Sequence, residues 1–188
     1  SLKNQVAPYE VNQGDAENLA NEITEELGGK MDKMKLSFKT VEKNCAEIVE
    51  RFKKIPTVKT QKPRVGVVGE IYVKFSALGN NGLEKFLLSQ GCECMVPGVL
   101  GFFQFSFSDI LVDCKYYGGS AVKAFIGRLI EKKAAEYERF MIEAVKPYSD
   151  FVAPVSFEKI EELADRVIDR GVKMGEGWLL PGEVAELI

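Results

Sequence analysis

The most regular feature of the 188-residue chain is a stripe of apolar side chains that recur every three or four residues. Its members are Met31, Met34, Phe38, Val41, Cys45, Ile48, Phe52 and Ile55. This spacing places all of them on one face, so it predicts a single long amphipathic helix that ends at Pro56. Such a face needs an apolar partner, either the rest of this chain or another subunit. Cys45 lies within the stripe and is predicted to be a small core residue.

A βαβ unit is predicted over about residues 64–97. Residues 64–69 form a short β-branched run of the kind found in a buried parallel strand, and residues 92–96 form a second short strand. Between them, Asn80 or Asn81 can cap a helix. The connection between two parallel strands of one sheet is expected to be right-handed.

Three further helices are predicted from capping residues and apolar spacing. They run from Asp15 to Gly28-Gly29, from Ser120 to Pro147 and from Ser156 to Arg170. The aromatic-rich stretch from Val99 to Tyr117 fits either a helix against the sheet or a contact with a partner.

Together these elements predict a helix-rich α/β fold with a small parallel sheet of the Rossmann or flavodoxin-like βαβ type. We divide the chain into a helical lead-in, residues 1–60, and an α/β segment with C-terminal helices, residues 61–188. A sheet of two strands is marginal, so we expect a fragment of a larger doubly wound domain whose missing strands lie beyond Ile188 or in a partner. The start at Ser1 rather than a methionine leads to the same expectation.

The charge and composition of the chain limit the classes of partner and of reaction that it can have. The chain has 25 basic and 28 acidic side chains and a formal net charge of −3, without the clustered positive charge of a nucleic-acid surface. It has no histidine, so the usual general base and the commonest nitrogen ligand for metals are missing. No secretory leader or membrane-spanning run is predicted. The four irregularly spaced cysteines are expected to be reduced thiols in the cytoplasm.

The loop after the first predicted strand is the first place to look for a ligand, because ligands of parallel α/β sheets bind outside the carboxyl ends of the strands. Glu70 lies at the tip of that strand. Asn80 and Asn81 stand at the start of the next helix, where backbone N–H groups can bind an anion. The alternative is a plain capped turn, since the loop lacks the glycine pattern of a phosphate loop.

No metal ligand is assigned, and Cys92 and Cys94 are weak candidates for a metal or redox site. Alternate residues of a strand point the same way, so their two sulfurs could converge. Zinc and iron–sulfur sites usually show a wider spacing and further ligands, and the next cysteine is Cys114. Packing of two small side chains on one face of a buried strand is the alternative.

Three stretches occur in an order that resembles a known family. They are APYEVNQGDAENL at 7–19, RVGVVGEIYVKFSALGNNGLEKFLLSQGCECMVPG at 64–98 and GEGWLLPGEVAELI at 175–188. They resemble the 2-hydroxyacyl-CoA dehydratase activase-related family, also called CoA-substrate-specific enzyme activases, in its carboxyl-terminal region that is similar to a dehydratase component. The resemblance spans nearly the whole chain.

In that family, activase modules use ATP hydrolysis to drive an electron from a 4Fe–4S cluster into a dehydratase component, which eliminates water from a 2-hydroxyacyl-CoA. The resemblance implies an anaerobic, cytoplasmic parent protein, whose other domains or dehydratase subunit would be the partners. It implies a contribution of Glu70, Asn80 and Asn81 to the cleft. We expect this segment to be inactive alone and to hold no cofactor, because the chain shows no actin-like phosphate loops. No catalytic residue is assigned.

A different class of function also fits the pattern. The chain could be a helical interaction or assembly module that docks a partner subunit, or a second copy, through the Met31–Ile55 stripe. Exposure of that stripe to solvent would favour docking, whereas burial within the chain would favour a segment of a larger enzyme.

Overall fold

The computed structural model describes residues 2–32 and 37–188. Over these residues the fold is helix-rich, with a small parallel sheet of two strands, as predicted. In chain order the elements are α1 (Leu2–Val6), α2 (Asp15–Asp32), α3 (Phe38–Lys53), β1 (Arg64–Gly66), α4 (Ile71–Phe75), α5 (Leu83–Ser89), β2 (Glu93–Met95), α6 (Val99–Asp113), a π-helical turn (Cys114–Gly118), α7 (Ala121–Val145), α8 (Phe157–Asp165), a 3-10 turn (Met174–Glu176) and α9 (Leu179–Leu187).

The chain forms two compact units that are interleaved along the sequence. The first consists of residues 1–65, 83–95 and 140–153. The second consists of residues 66–82, 96–139 and 154–188. The division into residues 1–60 and 61–188 stays a prediction about domains. Each compact unit has a hydrophobic core of its own.

The core of the first unit is formed by α1, α2 and α3. Its buried members are Val6, Ala16, Ile23 and Phe52. Ile48 and Ile55 pack against them. The C-terminal part of the predicted stripe therefore points into the protein, whereas Met31 at the end of α2 is 63% exposed. The half-buried Cys45 lies on the same helix, α3.

The prediction of one long helix from Met31 to Ile55 is wrong. Ser37 has an extended backbone, and its hydroxyl accepts a hydrogen bond from the Thr40 amide at 3.2 Å, so a new helix begins at Phe38. A serine hydroxyl that satisfies a free amide of the first turn is a strong start signal. Met34, one member of the stripe, lies outside the described residues.

The predicted end of α2 at Gly28-Gly29 is also wrong, because the helix continues to Asp32. Glycine lowers helix stability by only about 1 kcal/mol, which the neighbouring contacts can offset. The Lys30 ammonium, for example, donates to the Asn44 side chain of α3 at 3.0 Å. At the other end, the Glu10 carboxylate accepts hydrogen bonds from the amides of Gly14 and Ala16, and so takes the capping role predicted for Asp15.

The two strands pair as predicted but are only three residues long. The Glu93 amide donates to the Pro63 carbonyl at 2.8 Å. β1 is more exposed than a buried parallel strand, since only Val65 is half-buried. α1 and α5 both pack against β2, so helices support a pair of strands that would be marginal on its own.

The core of the second unit joins α6 and α8 to the start of α9. It consists of Phe105, Phe157, Ile160, Ala164, Trp178 and Leu179. α8 and α9 lie so close that a Cβ on Gly182 would be 2.9 Å from the Ile160 carbonyl oxygen, which explains the glycine. The aromatic-rich stretch left open by the sequence forms α6. No helix among the residues described is long and apolar enough to cross a membrane.

Candidate functional site

The three predicted cleft residues surround the short helix α4 in the second unit. The Glu70 carboxylate caps its start and accepts a hydrogen bond from the Tyr72 amide at 2.9 Å. The Asn80 side chain accepts from the Gly82 amide at 3.0 Å and donates to the Lys74 carbonyl at 3.4 Å. These contacts satisfy backbone groups at both ends of α4. The local role of Glu70 and Asn80 is thus to shape the loop.

Asn81 follows with a left-handed backbone, φ 53°, and is exposed. Asparagine adopts this conformation more readily than most residues, which explains its place in the turn before α5.

A buried ion pair lies beside this loop. The Lys74 ammonium of α4 donates to both carboxylate oxygens of Glu183 of α9, at 2.6 and 2.8 Å. The two side chains are 1% and 2% exposed. Burial of a charge is costly unless it is paired, so each member depends on the other. The pair thereby fixes α4 to α9.

Glu176 completes this buried polar cluster. One oxygen of its carboxylate accepts a hydrogen bond from the Ile71 amide, the first of α4, at 2.7 Å. The other oxygen is buried and has no hydrogen-bond partner among the residues described. Burial raises the pKa of the Glu183 carboxyl, Lys74 opposes that rise, and the nearby Glu176 adds to it. Lys74, Glu176 and Glu183 are called the buried charge cluster below.

The backbone at Glu176 is strained. Both Gly175 and Glu176 have a left-handed conformation, with φ values of 62° and 63°. For a residue other than glycine this conformation costs about 1–2 kcal/mol. Its result is the placement of the Glu176 carboxylate at the start of α4. Strain of this kind is often kept where a side chain has a required position.

The first unit contains a second polar network around Glu93 of β2. The Glu93 carboxylate is 2% exposed and accepts hydrogen bonds from the Tyr9 hydroxyl at 2.8 Å and the Arg64 Nε at 3.2 Å. Burial and the Glu93 carboxylate both raise the pKa of Tyr9, so its hydroxyl keeps its proton and acts as the donor. The charge of Glu93 is therefore compensated.

Next to this network is a groove of about 770 Å³, within the size range of small-ligand sites. It lies entirely in the first unit. Its buried or half-buried apolar lining consists of Val6, Phe52, Ile55 and Phe151. Its charged lining consists of Lys53, Lys59, Lys62, Arg64, Glu93 and Asp150. We call it the basic groove.

Cys92 and Cys94 stay weak candidates for a metal site. Both are free thiols, with Cys92 half-buried and Cys94 fully buried in β2. Iron–sulfur clusters are usually held by four thiolates, and no group of three or more candidate ligands comes together among the residues described. These donors do not fit such a cluster, so we derive no chemistry through one.

Burial, chiefly, raises the pKa of the Cys94 thiol from 9.0 to about 11. Between these two values the unfolded chain loses a proton that the folded chain keeps, so folding stability should fall as pH rises. The expected loss is about 2–3 kcal/mol. Urea unfolding at pH 8 and pH 11 should show this extra loss in the wild type and not in Cys94→Ala. Equal pH dependence of the two proteins would contradict this assignment.

The residues of these two polar networks are not among the candidates that the sequence pattern indicates. One local signal was available for Glu93, because it is a charged residue within a predicted buried strand. Lys74 and Glu183 are separated by 109 positions, and no local pattern connects them.

Comparison with known proteins adds no relative, since neither a protein-family model, nor a curated protein, nor a solved structure matches this chain.

Proposed function

We propose that this chain is a segment of a multidomain protein of the 2-hydroxyacyl-CoA dehydratase activase-related type. In this role it takes part in a system that couples ATP-driven electron transfer to dehydration of a 2-hydroxyacyl-CoA. The support is the resemblance of its three stretches, together with one structural observation: side chains of different stretches bind each other.

Two sets of contacts make up this observation. In the first unit, Tyr9 of the 7–19 stretch donates to Glu93 of the 64–98 stretch. In the second unit, Lys74 of the 64–98 stretch is paired with Glu183 of the 175–188 stretch. Residues far apart in sequence thus stabilise one another through the very segments that carry the resemblance.

The proposed role of the segment is structural and positional. Its buried charge cluster is inaccessible to a dissolved substrate, which suits a role in holding α4 and its loop in place. The groups that hydrolyse ATP and transfer electrons would belong to other parts of the parent protein. We also propose that the small sheet extends into a larger doubly wound domain there, and that the parent protein is cytoplasmic.

The docking alternative stays a prediction, and the position of its stripe favours the enzyme segment. Phe52 is buried in the core of the first unit and Ile48 and Ile55 pack against that core, so they offer a partner subunit little apolar surface.

Iron analysis and ATP hydrolysis test the proposal. The full-length protein that contains this chain would be purified without oxygen beside the isolated 188-residue chain. We expect the full-length protein to contain iron, to show the electron paramagnetic resonance signal of a reduced 4Fe–4S cluster and to hydrolyse ATP. The isolated chain should do none of these. Iron or ATP hydrolysis in the isolated chain would contradict the proposal that these activities belong to other parts of the parent protein. Their absence from the full-length protein would contradict the family assignment.

A further inference from the structure

We propose that the basic groove of the first unit binds a nucleotide, with its diphosphate at the cationic side chains and its base against the apolar lining. This inference stands on the groove alone and does not depend on the family assignment.

The charges of the groove favour an anion. Both acidic side chains of the lining already have partners: Asp150 is paired with Lys53, and Glu93 is bound by Arg64 and Tyr9. Lys53 beside Asp150, and to a smaller extent Lys59, lower the pKa of that carboxyl, so Asp150 and Lys53 remain a charged pair. What is left uncompensated in the lining is positive.

Two lysines carry that positive charge, and Arg64, whose charge is balanced by Glu93, adds further hydrogen-bond donors. Lys59 and Lys62 form no ion pair with any residue described, and both lie in the segment between α3 and β1. Arg64 is 59% exposed and uses only its Nε on Glu93. Within the described part of the chain its two Nη groups have no ion-pair partner, so they can donate to a phosphate, which a guanidinium binds in a fork geometry.

The other groups of the lining argue against a bare inorganic ion. The half-buried side chains of Ile55 and Phe151 provide apolar surface for a ring, and the groove volume of about 770 Å³ is far larger than a phosphate needs. Thr57, Thr60 and Gln61 also line the groove and supply neutral hydrogen-bonding groups. Sites for small organic ligands combine apolar walls with a few polar groups in this way.

Isothermal titration of the protein with ADP tests the proposal, with inorganic pyrophosphate and adenosine as the two half-ligands. We expect saturable binding of ADP that is tighter than that of either half-ligand and that weakens as salt is added. The double variant Lys59→Ala/Lys62→Ala should bind ADP at least about tenfold more weakly, since it loses two charge-assisted contacts. Both lysines lie outside helices and strands, so circular dichroism should show an unchanged fold.

The matched control is Lys39→Ala/Lys43→Ala, which removes the same charge from exposed positions of α3 in the same unit. It should leave the affinity for ADP within about twofold, because exposed distant charges are screened. Three results would overturn the proposal: no saturable binding of ADP, equal affinity of ADP and pyrophosphate, or equal effects of the two double variants.

Discussion

Replacing Glu183 with alanine should lower the free energy of unfolding by about 3–5 kcal/mol. The substitution leaves the Lys74 ammonium, which is 1% exposed, buried without its counter-ion. Removal of one partner of a buried pair is far more costly than loss of an exposed pair, because the remaining charge cannot be solvated. Urea unfolding followed by tryptophan fluorescence reports on the second unit, which contains Lys74 and Glu183, since the only tryptophan of the sequence, Trp178, is buried there.

Two control variants distinguish the effect of an unpaired buried charge from the effect of lost side-chain packing. Lys74→Met/Glu183→Leu removes both charges and should unfold within about 1 kcal/mol of the wild type or be more stable. Glu162→Ala breaks exposed pairs with Lys159 and Arg166 on α8 and should shift the unfolding midpoint far less than Glu183→Ala. A Glu183→Ala protein as stable as Glu162→Ala would contradict the account of the buried charge cluster.

Replacing Trp178 with alanine should cost a similar amount, about 3–5 kcal/mol. The indole is fully buried, and its ring lies 5.1 Å from that of Phe105 and 5.8 Å from that of Phe157, measured between centroids. Alanine would leave a cavity at the centre of the second core. Because this variant lacks the fluorescent probe, unfolding in urea is followed by circular dichroism at 222 nm.

Phe103→Ala is the comparison for this prediction. Phe103 lies on α6 like Phe105, but it is 50% exposed, so its loss should have a small effect. If Trp178→Ala and Phe103→Ala had equal unfolding midpoints, the assigned core of the second unit would be wrong.

The periodic stripe shows which structural features a local sequence pattern can predict and which it cannot. Spacing of apolar residues correctly indicated that Ile48 and Phe52 lie on an inward face, because burial of an amphipathic face follows directly from its side chains. The same spacing could not show the break before Phe38, since periodicity records side-chain polarity and not backbone conformation. The capping group was Ser37, a single residue inside an otherwise regular pattern.

The candidate site was predictable only in part. The segment from Glu70 to Asn81 was predicted to be a loop, and this is wrong in part, because the short helix α4, Ile71–Phe75, lies within it. The turn before α5 was predictable, since turn residues such as Asn81 act over a few positions. The Lys74–Glu183 pair depends on the tertiary packing of α4 and α9, which no local rule describes. The basic groove was not predictable for the same reason. The polar segment 57–63 resembles a linker in sequence, and it lines a groove only because the first unit folds against it.

The measurement that tests the central claim most directly is the conversion of a 2-hydroxyacyl-CoA to an enoyl-CoA, followed by chromatography of the thioesters under exclusion of oxygen. The full-length protein that contains this chain would be supplied with ATP, a low-potential reductant and any separate dehydratase subunit. We predict enoyl-CoA formation that stops when either ATP or the reductant is omitted, and none with the isolated chain. Enoyl-CoA formation that needs neither ATP nor reductant, or none under any of these conditions, would contradict the proposed function.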